Sequence, residues 1–112
     1  MSSAAKKKKK KKKDKATRQI EKVLHPQFPN VEAYRHNTFS IRVRVIDPRF
    51  AGLNAAERDA LVAPLLATLP EDIEREILLL LTLTPDETEP SNLSRYSLLN
   101  LEFEDPRPST LL

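Results

Sequence analysis

An alternating stretch from Thr38 to Asp47 constrains the fold of this chain more than any other segment. From Phe39 to Val45 its odd-numbered positions are large and apolar, its even-numbered positions are mostly polar, and β-branched residues are frequent in it. Period two is the spacing of side chains along one face of a β-strand, and β-branched residues favour strands. The sequence therefore predicts a half-buried antiparallel strand. Its inward face carries Phe39, Ile41, Val43 and Val45, and its outward face carries Ser40, Arg42, Arg44 and Ile46.

The segments around this strand alternate between helical and extended patterns. The order helix, strand, strand, helix, helix, strand predicts an α+β fold (αββααβ), with a three-stranded mixed sheet and helices on one face. Within the first of the two central helices, Pro64 is expected to kink or split the helix. The remaining predicted elements are a helix over Ala16–Leu24, a strand over Val31–Tyr34, helices beginning near Ala55 and Pro70, and a strand over Glu76–Thr84 that is covered on both faces.

Residues 88–112 form a C-terminal extension to this unit, and their pattern is ambiguous. Tyr96 and Leu99 have helical spacing, whereas Leu99, Leu101 and Phe103 alternate as in a strand. Because the third strand is leucine-rich on both faces, a sheet with helices on one side only would expose leucine on the other. We expect the extension to pack on the sheet or extend it; the alternative is that two copies dimerise through this face.

The charge of the chain is divided between a short N-terminal segment and the rest. Residues 1–15 hold nine lysines and one aspartate, whereas the remaining residues hold ten basic and fifteen acidic side chains. Because a run of like charges repels itself, we predict that residues 1–15 form a disordered poly-lysine tail. Lysines neutralise phosphates without reading sequence, so the tail indicates loose binding to RNA, DNA or another anionic surface. The alternative is a solubilising extension without a selected partner.

Composition excludes several classes of function. The chain contains no cysteine, which rules out disulfides and thiolate metal sites within it, and its one glycine, Gly52, rules out a glycine-rich phosphate loop. No apolar run is long enough to span a bilayer, and no apolar segment of a secretory signal follows the lysines. These features suit a cytoplasmic protein that carries no cofactor.

The candidate nucleic-acid contacts are the lysines of the tail and three arginines of the body. Arg42 and Arg44 share the outward face of the alternating strand, and Arg58 lies near the start of the long central helix. The alternative for these arginines is an ordinary solvated face, or ion pairs with the surplus acids of the body. The full candidate set is Lys6, Lys7, Lys8, Lys9, Lys10, Lys11, Lys12, Lys13, Lys15, Arg42, Arg44 and Arg58.

The remaining polar residues give no case for catalysis or metal binding. His25 and His36 lie at a helix end and in a turn, where histidines are usually exposed rather than metal ligands. Glu57 and Asp59 at a helix start are most simply partners of the helix dipole. No nucleophile and base stand together, so the sequence predicts no catalytic residue, no metal site and no enzyme.

Three short motifs resemble those of the BolA family, whose fold is related to the class II KH domain. Arg49–Gly52 resembles its loop with phenylalanine and glycine, Glu57–Val62 resembles the start of its long helix, and Thr84–Glu87 resembles the threonine–proline end of its third strand. Together with the order of elements, the resemblance covers Thr17–Glu87 and implies a BolA-like domain over residues 16–87.

The resemblance implies a small, non-enzymatic binding or regulatory module. Its KH relation implies nucleic-acid binding, but Gly52–Ala55 lacks the second glycine of the KH phosphate loop. The family's near-invariant histidine, implicated in sharing an iron–sulfur cluster with monothiol glutaredoxins, falls at Asp59, and a second histidine falls at Glu76. Carboxylates are poor substitutes for imidazole at such a cluster. The alternative to nucleic-acid binding is therefore a protein-interaction adaptor, related to the glutaredoxin partnership but without metal ligation.

Overall fold

The computed structural model describes residues 11–89, 91 and 94–106. The sheet has the order β1-β2-β3, in which β2 pairs antiparallel with β1 and parallel with β3. The predicted α+β fold with a three-stranded mixed sheet is confirmed. Its elements are α1 (Lys15–Leu24), β1 (Val31–Asn37), β2 (Ser40–Ile46), α2 (Ala55–Leu66), α3 (Glu71–Glu74), β3 (Ile77–Leu83) and α4 (Arg95–Glu104), with 3₁₀ turns at Pro48–Phe50 and Pro85–Thr88.

Side-chain caps fix the starts of helices α1 and α2. The Asp14 carboxylate accepts a hydrogen bond from the Thr17 amide at 3.0 Å, and the Thr17 hydroxyl accepts one from the Asp14 amide at 2.8 Å. Asn54 and Glu57 form the same reciprocal arrangement at the start of α2. Both pairs satisfy amides that have no partner inside the helix. Helix α2 continues through Pro64 without being split.

The main core lies between one face of the sheet and helices α1 and α2. The inward side chains of β2 are fully buried there, as the alternation predicts. Phe50 plugs one edge of this core and stacks on Phe28 with ring centroids 5.8 Å apart, while Gly52 turns the following loop with a φ of 80°. The buried residues are Ile20, Leu24, Phe28, Ala33, Ile41, Val43, Val45, Phe50, Val62, Leu66 and Leu69.

A second, smaller core lies on the other face of the sheet, between the sheet and helix α4. Phe103 of α4 is fully buried and meets the ring of Tyr34 edge-on, with centroids 4.8 Å apart. Leu81 and Leu83 of β3 complete the cluster. The ambiguous C-terminal pattern therefore folds as a helix, and helices lie on both faces of the sheet once α4 is included.

Phe39 and Leu78 are more exposed than predicted. Phe39 was assigned to the inward face of β2 but is 76% exposed, because β2 begins at Ser40 and leaves Phe39 in the hairpin turn. Leu78 is 69% exposed although β3 was expected to be covered on both faces. The pairing of β2 with β3 shifts register between Ile41 and Arg42, and this irregularity leaves Leu78 turned outward at the start of the strand. Among the described residues, no helix is long and apolar enough to cross a membrane.

Candidate nucleic-acid interface

The C-terminal end of the lysine run lies against the outer edge of β1. The Arg35 amide donates a hydrogen bond to the Lys12 carbonyl at 2.8 Å, which places residues 11–13 beside β1 in antiparallel orientation. The Lys13 ammonium contacts Glu21 and donates to the Ala33 carbonyl at 2.6 Å. Lys15 is already the first residue of α1. The predicted tail boundary at residue 15 therefore falls inside the fold, and Lys6, Lys7, Lys8, Lys9 and Lys10 lie outside the described residues.

Lys11 and Arg44 share two carboxylates in a closed ring of alternating charge. Lys11 lies 3.1 Å from Glu32 and 3.4 Å from Glu104, and Arg44 pairs with the same two carboxylates. Both cations also lie over the ring of Phe103, at 5.4 and 4.6 Å from its centroid. This closed ring of ion pairs joins the N-terminal segment, β1, β2 and α4.

Arg44, one of the three predicted body contacts, is largely enclosed by this arrangement. Its side chain is 10% exposed, and its guanidinium donates to Glu32 at 3.0 Å and to Asn100 at 2.7 Å besides its pair with Glu104. Burial raises the pKa of Glu104, but hydrogen bonding and charge attraction from Arg44, with help from Lys11, outweigh it and hold that pKa below its ordinary value. A phosphate would reach Arg44 only after α4 had moved.

Arg42 lies on the same face and is also occupied by groups of the protein. Its guanidinium donates to Glu102 at 3.2 Å and to the Tyr34 hydroxyl at 3.3 Å, and it lies 3.2 Å from the His36 ring nitrogen Nε2. Burial and the neighbouring charge of Arg42 lower the pKa of His36, which favours the neutral imidazole, the form that has a nitrogen able to accept a hydrogen bond. The outward face of β2 is therefore an internal polar layer beneath α4.

Arg58 is the most buried of the three predicted arginines, with 4% of its surface exposed. It donates to both oxygens of the Glu87 carboxylate, at 2.7 and 3.0 Å, and to the carbonyls of Leu53 and Thr82. Burial raises the pKa of Glu87, yet the bonds from Arg58 and from the Thr84 amide outweigh it and lower that pKa. Arg58 thus connects α2, β3 and the turn after β3, and its guanidinium lies 4.5 Å from the centroid of Tyr96.

Helix α1 presents a different set of cations, of which only Lys15 was among the predicted contacts. Lys15, Arg18 and Lys22 are exposed, and with Gln19 and Val23 they line one shallow hollow. None of the three cations forms an ion pair within the part of the chain that the structure describes. Their spacing of three and four residues is visible in the sequence, and it places them on one side of a helix.

Asp59 lies at a groove between α2, β3 and α4. The groove has a volume of about 240 Å³, and its lining includes Leu79, Thr82, Arg95 and Tyr96. Burial raises the pKa of Asp59, and a hydrogen bond with Thr82 opposes the rise. The carboxylate is thus partly desolvated at the edge of the sheet.

Comparison with protein-family models and with curated proteins found no match. Among solved structures, the chain is similar to BolA1 from Mus musculus, with a TM-score of 0.55 and 16% identity over 93% of this chain and 85% of that one. The chain has a BolA-like fold. It is also similar to BolA1 from Arabidopsis thaliana, with a TM-score of 0.49 and 20% identity over 69% of this chain and 100% of that one.

The alignment of Asp59 and Glu76 with two histidines of the BolA family stays a prediction, and neither carboxylate suits an iron–sulfur cluster. Asp59 hydrogen-bonds Thr82, and Glu76 accepts a hydrogen bond from Arg35 at 2.9 Å. The chain supplies neither imidazole nor thiolate at these positions, and carboxylates are hard ligands. Among the described residues, no group of three or more His, Cys, Asp or Glu side chains is arranged to hold a metal ion.

Proposed function

We propose that this protein is a small, non-enzymatic module of BolA-like fold that binds nucleic acid, with the lysine run as the main source of affinity. The observation that carries the proposal is the partition of charge. The arginines of the sheet and of α2 are matched by carboxylates inside the fold, whereas in the run of eight lysines only Lys11 and Lys13 form ion pairs among the described residues. A dense run of lysines beside an acidic body favours a polyanionic ligand over a small-molecule substrate.

The assignment of Arg42, Arg44 and Arg58 as nucleic-acid contacts remains a prediction, and their internal pairs argue for a structural role. Removing the partner of a buried ion pair costs about 3–5 kcal/mol, because one charge is left uncompensated. A phosphate that displaced Glu87 from Arg58, or Glu104 from Arg44, would have to repay part of that cost. We therefore expect these arginines to hold the domain together while the N-terminal cations contact the ligand.

The experiment is a salt titration of binding to a mixed-sequence DNA duplex and to its RNA counterpart, by fluorescence anisotropy. The full chain is compared with a chain that begins at Lys11. We expect the logarithm of the association constant to fall linearly with the logarithm of salt concentration, and to fall less steeply for the shortened chain. Absence of binding by the full chain at low salt would exclude the proposed function.

A second candidate, the protein-interaction adaptor, is favoured by the outer edge of β3. Strand β3 pairs only with β2 within the described residues, and Leu78 is 69% exposed at its start. An unpaired edge is a template for an added strand from a partner. Capture of a glutaredoxin-type protein by the wild-type chain, lost in Leu78→Lys and retained in the control Leu98→Lys on α4, would support the adaptor. Equal capture by all three, or none by the wild type, would exclude it.

A further inference from the structure

The outer face of α1 carries a row of cations that the fold does not use. Lys15, Arg18 and Lys22 are all exposed, and the helical repeat of 3.6 residues places them within an arc of about 60°. They are spread over about 10 Å of the helix axis at 1.5 Å per residue. The opposite face of α1 is held in the main core through Ile20 and Leu24, which are fully buried. The row is therefore presented on a fixed, folded surface.

The acidic side chains around α1 are engaged elsewhere. Glu21, on the same helix, contacts Lys13 and accepts the Ala33 amide at 2.8 Å. Asp14, at the start of the helix, caps it and pairs with Arg35 at 2.6 Å. Since no carboxylate among the described residues pairs with Lys15, Arg18 or Lys22, their charge is directed to solvent.

We propose that Lys15, Arg18 and Lys22, here called the α1 basic face, bind the phosphate backbone of double-stranded nucleic acid. This rests on the proposed function and names the folded surface that takes part in it. Successive phosphates of one strand rise by about 3.4 Å along the duplex axis, so cations spread over about 10 Å can reach more than one of them. The lysine run ends at Lys13, two residues before Lys15 begins α1, so the run and the α1 basic face are neighbours in the chain.

The chemistry of the face favours a duplex over a single strand. Proteins that hold single strands stack bases on exposed aromatic rings. The hollow on α1 is lined by Lys15, Arg18, Gln19, Lys22 and Val23, and it contains no aromatic side chain. Backbone contacts alone are therefore available, and a duplex presents its phosphates with the bases already paired. The contacts fix position without specifying sequence.

The same observations disfavour a membrane surface as the ligand. A helix that lies in the membrane interface buries a large apolar face in the lipid. The apolar face of α1 is occupied by the protein core, since Ile20 and Leu24 are fully buried. Only the electrostatic attraction of α1 to anionic lipids would remain, because its apolar side chains are not available to insert into the membrane.

The test compares two double variants of the full chain on the same mixed-sequence DNA duplex. Arg18→Gln/Lys22→Gln removes two charges from the α1 basic face. Arg75→Gln/Arg95→Gln removes two charges from exposed arginines that also lack an ion pair among the described residues. All substituted side chains are exposed, so thermal unfolding followed by circular dichroism should be almost unchanged in both variants.

We expect the α1 variant to reduce the slope of log association constant against log salt by about 1.8, since each lost phosphate contact contributes about 0.9 on a duplex. The control variant should keep the wild-type slope. Wild-type binding by the α1 variant would overturn the inference and leave the tail-based function standing. Equal losses in both variants would also overturn it, because net charge alone would then explain binding. Binding of the wild type to phosphatidylserine vesicles but not to the duplex would overturn both proposals.

Discussion

Arg58 of α2 and Glu87 of the turn after β3 form a two-pronged ion pair, with donor–acceptor distances of 2.7 and 3.0 Å, although Arg58 is only 4% exposed. The pair fixes the long helix to the end of the sheet. Arg58 was predicted to contact nucleic acid, whereas its guanidinium is occupied by Glu87 and two backbone carbonyls. The structural role of this pair gives the first prediction.

Glu87→Gln should destabilise the protein by about 3 kcal/mol, because it leaves the Arg58 charge buried without a counter-charge. The free energy of unfolding in urea measures the effect. Glu89→Gln makes the same change two residues away, on an exposed carboxylate without an ion pair among the described residues, and should change stability by less than about 0.5 kcal/mol. Similar small losses in both variants would contradict the structural role of Arg58.

Stability should fall in acid, and part of the fall should belong to Glu87. Burial raises the pKa of Glu87, but the hydrogen bonds from Arg58 and Thr84 and the charge of Arg58 together lower it more, so the folded pKa lies below the ordinary value of 4.5. The unfolded state then binds the proton at a higher pH than the folded state does. The contribution of Glu87 is therefore fully present above the ordinary value and is lost as the pH falls through the folded pKa. Unfolding measured from pH 7 to pH 3 should show a shallower decline for Glu87→Gln than for the wild type; parallel curves would refute this source of acid sensitivity.

Phe103 should be the residue that attaches helix α4 to the sheet. Phe103→Ala should lower the free energy of unfolding by about 3–5 kcal/mol, because a fully buried aromatic ring is replaced by a cavity. Leu98→Ala on the same helix is the matched control, since Leu98 is 58% exposed and its loss should cost less than about 1 kcal/mol. If the two variants melted alike in a thermal scan, α4 would not be docked as described.

Most of the helices and strands can be predicted from local patterns in the sequence. The alternation in β2 correctly assigned Ile41, Val43 and Val45 to the core, because period two with β-branched residues leaves little choice of structure. The predicted start of a helix near Ala55 also agrees with α2, which the local cap of Asn54 and Glu57 fixes. Phe39 was misplaced because the same alternation extends one residue beyond the start of the strand, into the hairpin turn.

The partners of the arginines are set by contacts that no local pattern reveals. Arg44 and Glu104 are separated by 60 positions, and Arg58 and Glu87 by 29. Their pairing depends on α4 packing over the sheet and on the crossover that returns β3 beside β2. The helical state of α4 was also open, because Tyr96 and Leu99 fit a helix while Leu101 and Phe103 fit a strand. In the helix that forms, Phe103 is buried against Tyr34. By contrast, the spacing of Lys15, Arg18 and Lys22 in the sequence is enough to place them on one side of a helix.

The central claim is that nucleic-acid affinity lies in the N-terminal cations, while the arginines of the sheet are structural. The most direct measurement is the salt dependence of duplex DNA binding for two variants of the full chain. Replacing Lys6, Lys7, Lys8, Lys9 and Lys10 by glutamine should reduce the slope by about 4.5, at about 0.9 per lost phosphate contact, whereas Arg42→Gln should leave it unchanged. A slope reduced by Arg42→Gln and preserved without the five lysines would contradict the account.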